Sequence, residues 1–196
     1  AGQTCVAPDY VLVHRSVKDQ LVSKLKENFK QMLGEDPSKS EDFGRIINTK
    51  RFRSIATFLT QGKVVAGGRH NEADLYIEPT ILEDISLHDS VMKEEIFGPL
   101  LPVFSYTELQ EPLQEINSRE HPLVVYIYSK SKRNIKAIQQ GTRAGATAVN
   151  MSLLQIANNY LPFGGTGHSG IGKTNGHAGF LEFTNTRSAF YQWGFP

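Results

Sequence analysis

The feature that most constrains the fold is an alternation of strand-like and helix-like segments. Residues 123–128 form an apolar run with β-branched and aromatic side chains, which is typical of a strand buried on both faces. Ser131, a favourable N-cap, begins a helical segment that reaches about Gln140, and Ala146–Val149 is a second strand of the buried type. A strand, a helix and a strand in this order indicate two parallel strands joined by a crossover helix.

The same alternation runs through the preceding part of the chain. Strands are predicted at 10–14, 63–66, 80–82 and 100–104, and helices at 16–33, 48–61 and 111–118. Ser16, with Asp19 three residues later, resembles a capping box, and Pro102 favours an edge position for its strand. The sequence therefore predicts an α/β sandwich built around a mostly parallel sheet.

Composition excludes several classes of protein. The chain has 196 residues, of which 39% are hydrophobic and 21% charged, and a formal net charge of +1, so we expect a globular domain with a real core and no nucleic-acid partner. It contains no apolar run approaching the ~18 residues of a membrane span, and we predict neither a membrane contact nor a metal site. A single cysteine fits a reducing compartment such as the cytoplasm. Because the chain opens on Ala1 and not on methionine, we expect a piece of a longer protein.

The only cysteine, Cys5, follows the polar run Gly2-Gln3-Thr4 and precedes the first predicted strand. A lone thiol closes no disulfide within its own chain, so Cys5 is either an inert small residue or a reactive one. A short polar loop leading into a buried strand would hold a thiol firmly and leave it reachable, as a nucleophile requires. An isolated cysteine is nevertheless more often structural than catalytic, and other segments must decide.

Two nucleotide-binding patterns overlap in the glycine-rich segment 158–179. Residues 165–170 match G-x-G-x-x-G, and residues 167–174 match G-x-x-x-x-G-K-[ST], with Lys173 and Thr174 in the positions that contact phosphate and Mg²⁺. Both patterns require a buried strand before the glycines, whereas Pro162 stands there, and the residues after Thr174 are weak helix formers. A P-loop NTPase is therefore a minority hypothesis. The alternative is that the glycines make tight turns beside a site, where Phe163 either walls a pocket or is an ordinary core residue.

An acid-aromatic segment, Glu94-Glu95-Ile96-Phe97-Gly98-Pro99, precedes the strand at 100–104. The two adjacent carboxylates should point apart and do not form an acid-base pair on one bond. One carboxylate on a fixed turn suits hydrogen bonding to the vicinal hydroxyls of a sugar, and Phe97 could pack against a flat heterocycle. Taken alone, the segment is better interpreted as a solvated acidic loop with one core aromatic residue.

Taken together, these segments resemble the aldehyde dehydrogenase superfamily. The resemblance is carried by Gly2-Gln3-Thr4-Cys5, by residues 94–99, and by Leu161-Pro162-Phe163-Gly164-Gly165 with the glycines at 170 and 172. Residues 1–10 and 43–48 are most similar to the class 3, fatty-aldehyde branch. The resemblance covers essentially the whole chain and implies a three-layer α/β sandwich of the catalytic-domain type. It also accounts for a glycine-rich loop that binds no phosphate.

The resemblance implies a role for several residues. Cys5 would be the nucleophile that attacks an aldehyde to give a thiohemiacetal and then a thioester, with NAD or NADP as hydride acceptor, and its backbone N–H would stabilise the oxyanion. Glu95 would hold the nicotinamide ribose and Phe97 would lie beside the nicotinamide. Phe163 would line the substrate pocket, and Arg51 lies near the region that meets the adenosine end of the coenzyme.

The resemblance also marks what this sequence lacks. Members of the family are more than twice as long, and the coenzyme-binding domain, a second oxyanion donor and the glutamate that activates water match no part of this chain. We therefore expect residues 1–182 to be a partial catalytic domain that is inactive alone, and 183–196 to be a C-terminal strand or tail. This tail would make the subunit contacts of a homodimer or larger assembly of the full-length protein. A non-catalytic module on the same scaffold remains an alternative to the enzyme.

Overall fold

The computed structural model describes residues 1–194, and the chain divides into two compact units, Ala1–Ile116 and Asn117–Pro196. The first unit contains the strands β1 (Val11–His14), β2 (Lys63–Ala66), β3 (His70–Asn71), β4 (Tyr76–Ile77), β5 (Thr80–Glu83) and β6 (Leu100–Tyr106), and the helices α1 (Lys18–Leu33), α2 (Thr49–Phe58) and α3 (Gln110–Ser118). Most of these elements begin and end within three residues of the predicted bounds.

The main sheet of the first unit has the strand order β1-β6-β5-β2. The pairs β1/β6 and β5/β6 are parallel, and β2 runs antiparallel to β5. The prediction that Pro102 places its strand at an edge is wrong, because β6 lies in the middle. Pro102 pairs with Leu82 at the end of the β5 ladder, and the β1 ladder begins at Val103, so the missing N–H falls where the pairing changes partner.

Helices cover both faces of this sheet. Neighbouring residues of a strand point to opposite faces, and two adjacent residues of β5 belong to clusters with different helices. Ile81 belongs to a cluster with Val22 and other α1 residues, whereas Leu82 belongs to a cluster with Phe52 and Ile55 of α2. Each large aliphatic or aromatic side chain that is fully buried contributes about 1.5–3 kcal/mol. Within the first unit the predicted three-layer α/β fold with a mostly parallel sheet is therefore confirmed.

The two predicted helix starts in this unit differ in outcome. Asn48 caps α2 by accepting the N–H of Arg51 at 2.9 Å, as a polar residue at that position should. The prediction of a capping box at Ser16 is wrong. A 3₁₀ turn at Arg15–Val17 precedes α1, and Val17 takes the N-cap position without a side-chain hydrogen bond. The His14 side chain accepts the Ser16 N–H instead.

The second unit contains β7 (Val124–Ile127), α4 (Lys132–Gly141), β8 (Ala146–Val149) and α5 (Gly176–Glu182), and β7 and β8 are parallel as predicted. Ser131 caps α4 by accepting the Asn134 N–H at 3.2 Å. The prediction that β7 is buried on both faces is wrong. Only Val125 and Ile127 of this strand are buried, and the following Tyr128 is 66% exposed. Among the described residues this sheet has two strands, β7 and β8.

The C-terminal part of the second unit has little regular structure. Residues 184–194 contain no helix or strand, and positions 195 and 196 of the predicted tail lie outside the described residues. Phe183, Phe190 and Trp193 are each more than 90% exposed. In residues 1–194 no helix combines the length and apolar character needed to cross a membrane.

Candidate active site

The turn at residues 4–7 presents Cys5. The Ala7 N–H donates to the Thr4 carbonyl at 2.9 Å, which places Cys5 and Val6 in the middle of the turn. The Cys5 thiol is exposed, whereas Val6 is only 3% exposed and anchors the turn in the core. Within residues 1–194 the Cys5 N–H has no hydrogen-bond acceptor. One residue therefore offers both an accessible sulfur and a free backbone donor.

The segment before this turn is fixed to two neighbouring loops. The Gln3 side chain donates to the Arg45 carbonyl at 2.8 Å and accepts the Ile47 N–H at 3.0 Å. Gly2 has a φ of +68° and packs so tightly that a Cβ there would lie 2.2 Å from the Gly98 carbonyl oxygen. These contacts position Cys5 although its own side chain is exposed.

The acid-aromatic loop is held at the peptide groups on both sides of Ile96, whose side chain is 1% exposed. The Ile96 N–H donates to Asp9 Oδ1 at 2.9 Å, so the chain just after the Cys5 turn is bonded directly to this loop. Arg51 Nη2 donates to the Glu95 carbonyl at 2.7 Å and also to the Ile96 carbonyl. Hydrogen bonds with a charged partner are stronger than neutral ones, so Asp9 and Arg51 together form a firm clamp.

The two adjacent carboxylates of this loop have different surroundings. Glu94 Oε1 lies 3.7 Å from Arg51 Nη1, whereas the exposed Glu95 carboxylate has no partner in the part of the chain that the structure describes. Phe97 follows with a φ of +47°, in the left-handed region that aromatic residues rarely adopt, and its ring is half-buried. Glu95 is therefore the carboxylate that can accept hydrogen bonds from a ligand.

The structure brings three of the predicted site residues, Cys5, Glu95 and Phe97, into loops of the first unit that are bonded to each other. Arg51, expected near the adenosine end of the coenzyme, contacts the carbonyls of this loop. The sequence did not predict Asp9 as a site residue. Its only sequence signal is that it is a charged residue in the loop between the candidate nucleophile and the first strand. Within residues 1–194 no three His, Cys, Asp or Glu side chains lie together as a metal site would require.

Phe163 belongs to the second unit, where its backbone pairs with Thr174 through hydrogen bonds of 2.9 and 2.7 Å. The Thr174 hydroxyl also donates to the Phe163 carbonyl, and the Lys173 ammonium donates to carbonyls of the same loop. The two side chains that a P-loop would direct at phosphate and Mg²⁺ are thus bonded to their own backbone. This arrangement argues against the NTPase hypothesis.

Comparison with known proteins decides the family. The sequence model of the aldehyde dehydrogenase family matches residues 1–189. This chain belongs to the aldehyde dehydrogenase family. Its fold also matches a solved aldehyde dehydrogenase, Staphylococcus aureus AldH in a substrate-bound state, with a TM-score of 0.92 and 38% identity over 99% of this chain and 44% of the other.

Two curated aldehyde dehydrogenases show which branch of the family the chain is similar to. The dimeric NADP-preferring aldehyde dehydrogenase of Canis lupus familiaris is 42% identical over 96% of this chain. Aldehyde dehydrogenase family 3 member A2 of Rattus norvegicus is 42% identical over 95% of it. The resemblance to the class 3 branch is therefore confirmed. The chain spans 42% and 38% of the length of these two relatives.

Proposed function

We propose that the protein containing this chain oxidises aldehydes to carboxylic acids with NAD⁺ or NADP⁺, and that Cys5 is its nucleophile. The observation that carries the proposal is the turn that exposes the only thiol beside its own free N–H, bonded to the loop that carries Glu95 and Phe97. Family membership makes aldehyde oxidation the chemistry to which these groups are best suited.

In this mechanism the Cys5 sulfur, as thiolate, forms a bond to the aldehyde carbonyl carbon. The oxygen becomes an oxyanion, which the Cys5 N–H can stabilise as a hydrogen-bond donor already in place. The carbon then loses its hydrogen as hydride, and the carbonyl re-forms as a thioester on Cys5. Water hydrolyses the thioester, which releases the acid and regenerates the thiol.

The residues of the acid-aromatic loop fit a nicotinamide coenzyme, which would accept the hydride when bound. The unpaired Glu95 carboxylate can accept hydrogen bonds from two vicinal hydroxyls of a ribose, because an ionised carboxylate has acceptors and no donor. Phe97 offers a ring whose backbone is fixed on its N-terminal side by Arg51 and Asp9. We assign Phe163, whose backbone is similarly fixed by Thr174, to the aldehyde pocket.

The experiment that tests this function uses the full open reading frame in which this sequence lies, beside the 196-residue chain alone. We expect the full-length protein to form NADH or NADPH, followed at 340 nm, with members of a panel of short, long and aromatic aldehydes. The chain alone should turn over little, because it holds no residue matched to the water-activating glutamate. A full-length protein that oxidises no aldehyde, with a thiol that resists iodoacetamide, would refute the proposal and favour a non-catalytic scaffold.

A replacement of Arg51 by alanine should weaken coenzyme binding. It removes two charge-assisted hydrogen bonds to the loop of Glu95 and Phe97, and bonds of this kind contribute about 1.5–3 kcal/mol each. We expect the KM for the coenzyme to rise about tenfold or more, with little change in the KM for the aldehyde. Steady-state kinetics on the full-length protein measures both constants.

The matched control is Arg53→Ala, two residues further along α2. Arg53 is exposed and pairs with Glu72 at 2.6 Å, and within residues 1–194 it makes no hydrogen bond or ion pair to the acid-aromatic loop. Its replacement should leave both constants close to the wild-type values. Equal effects of the two replacements would show that Arg51 does not act through the loop.

We also propose that the C-terminal stretch makes subunit contacts. Phe183, Phe190, Tyr191 and Trp193 are 80–94% exposed, which is unusual for large aromatic side chains. The canine relative is described as dimeric. A second subunit would bury these aromatic side chains.

A further inference from the structure

Lys173 ends the phosphate-loop pattern of the sequence, and the proposed chemistry leaves it without a role. Its ammonium nitrogen donates to the carbonyl oxygens of Gly164 at 2.5 Å, Gly165 at 3.0 Å and Gly145 at 3.1 Å. A lysine ammonium has three N–H donors and no acceptor, so these bonds use its whole capacity. The lysine therefore acts as a cation surrounded by backbone carbonyls.

These carbonyls join two separate segments of the second unit. Gly145 directly precedes β8, whereas Gly164 and Gly165 directly follow Phe163. The next residue after the lysine, Thr174, exchanges backbone hydrogen bonds with Phe163. Two consecutive residues thus hold Phe163 and the two peptide groups after it.

The glycines allow the carbonyls to converge. A Cβ on Gly145 would lie 2.4 Å from the Gly164 oxygen, and a Cβ on Gly165 would lie 1.9 Å from the Ser169 oxygen. Only backbone without side chains can approach this closely. Three carbonyl dipoles that point at one centre repel each other, so the arrangement needs a positive charge at that centre.

We propose that the Lys173 ammonium is an internal cation that fixes the backbone of residues 163–165, and that it thereby holds Phe163 in the position needed to bind the aldehyde. The second part rests on the proposed function, since it requires Phe163 to line the aldehyde pocket. Lys173 is in this sense a positioning residue, because it touches the backbone that carries Phe163 and not the reacting atoms.

The first test measures hydrogen exchange in the 196-residue chain by mass spectrometry. In Lys173→Met, which keeps most of the aliphatic stem and loses the charge, we expect the amides of Phe163 and Thr174 to exchange at least tenfold faster than in the wild type. Lys136→Ala, an exposed lysine of α4, is the control and should exchange as the wild type does. Unchanged exchange in Lys173→Met would overturn the proposal.

The second test supplies the missing cation. In Lys173→Ala, which leaves space at the centre of the three carbonyls, added ammonium chloride should restore most of the lost protection. Tetramethylammonium chloride at the same concentration controls for ionic strength, because it carries the same charge and is too large to enter. Equal effects of the two salts, or no effect of either, would exclude the role as an internal cation. Circular dichroism of each variant shows whether it has folded.

The positioning part is tested in the full-length protein. Lys173→Met should raise the KM for an aromatic aldehyde about tenfold while the KM for the coenzyme stays within twofold. If the wild-type protein oxidises no aldehyde, the proposed function fails and the exchange measurements still decide the role of the cation. If the wild type is active, exchange is faster in the variant and the aldehyde KM is unchanged, the lysine fixes the loop without positioning Phe163 for substrate.

Discussion

Replacement of Cys5 by serine is expected to lower kcat for aldehyde oxidation by about three orders of magnitude or more. A cysteine sulfur is intrinsically a strong nucleophile, whereas a serine hydroxyl needs a base to act. Because the Cys5 side chain is exposed, the free energy of unfolding should change by no more than about 0.5 kcal/mol. NAD(P)H formation by the full-length protein and thermal unfolding of the same samples measure the two quantities.

Alkylation gives an independent readout in this chain, because its only thiol is Cys5. Iodoacetamide should add one carbamidomethyl group to the wild-type chain and none to Cys5→Ser. Thr4→Ala, a change at the exposed neighbour in the same turn, should keep the thiol reactive. A Cys5→Ser enzyme with wild-type kcat would assign the nucleophile elsewhere.

Gly165→Ala is expected to be the most destabilising single methyl group that can be added to the glycine-rich loop. The new Cβ would lie 1.9 Å from the Ser169 carbonyl oxygen and 2.4 Å from the Gly170 nitrogen, and both are backbone atoms that a rotamer change cannot move. Overpacking of this kind costs about 1–3 kcal/mol. The midpoint of urea unfolding, followed by circular dichroism, measures the loss.

The matched control lies in the same loop. Gly172→Ala introduces the same methyl group where the nearest atom is a Glu182 carboxylate oxygen at 3.6 Å, an ordinary van der Waals distance. Gly172 is also outside the positive-φ region that disfavours alanine. Its unfolding midpoint should stay close to the wild-type value. If Gly165→Ala were equally silent, the close approach of residues 165 and 169 would not exist in solution.

Local sequence signals predicted the elements of the fold well, because they depend on residues close together in the chain. Asn48 and Ser131 cap the helices that they precede, and the strands at 63–66, 80–83 and 146–149 coincide with apolar runs in the sequence. The position of Pro102 in a central strand was not predictable. It depends on which strand pairs on each side of β6, which is decided by residues far away in the sequence.

The candidate site shows the same division. Its chemical groups, Cys5, Glu95 and Phe97, stand in recognisable motifs. The contacts that hold these groups in place are not part of any motif, because they join residues far apart in the sequence. Asp9 and Ile96 are 87 positions apart, and Arg51 and Ile96 are 45 apart. Lys173 was misleading for a related reason, since the sequence letters of a phosphate loop do not reveal that the carbonyls of its own loop take up the ammonium.

The left-handed backbone of Phe97 has a consequence for how this position can vary. A backbone with φ of +47° is easiest for glycine and next for asparagine, and it costs an aromatic residue about 1–2 kcal/mol. In terms of backbone conformation alone, glycine or asparagine would therefore be favoured over phenylalanine here. If the ring serves the coenzyme as proposed, the most stable variant at this position and the most active one should be different proteins.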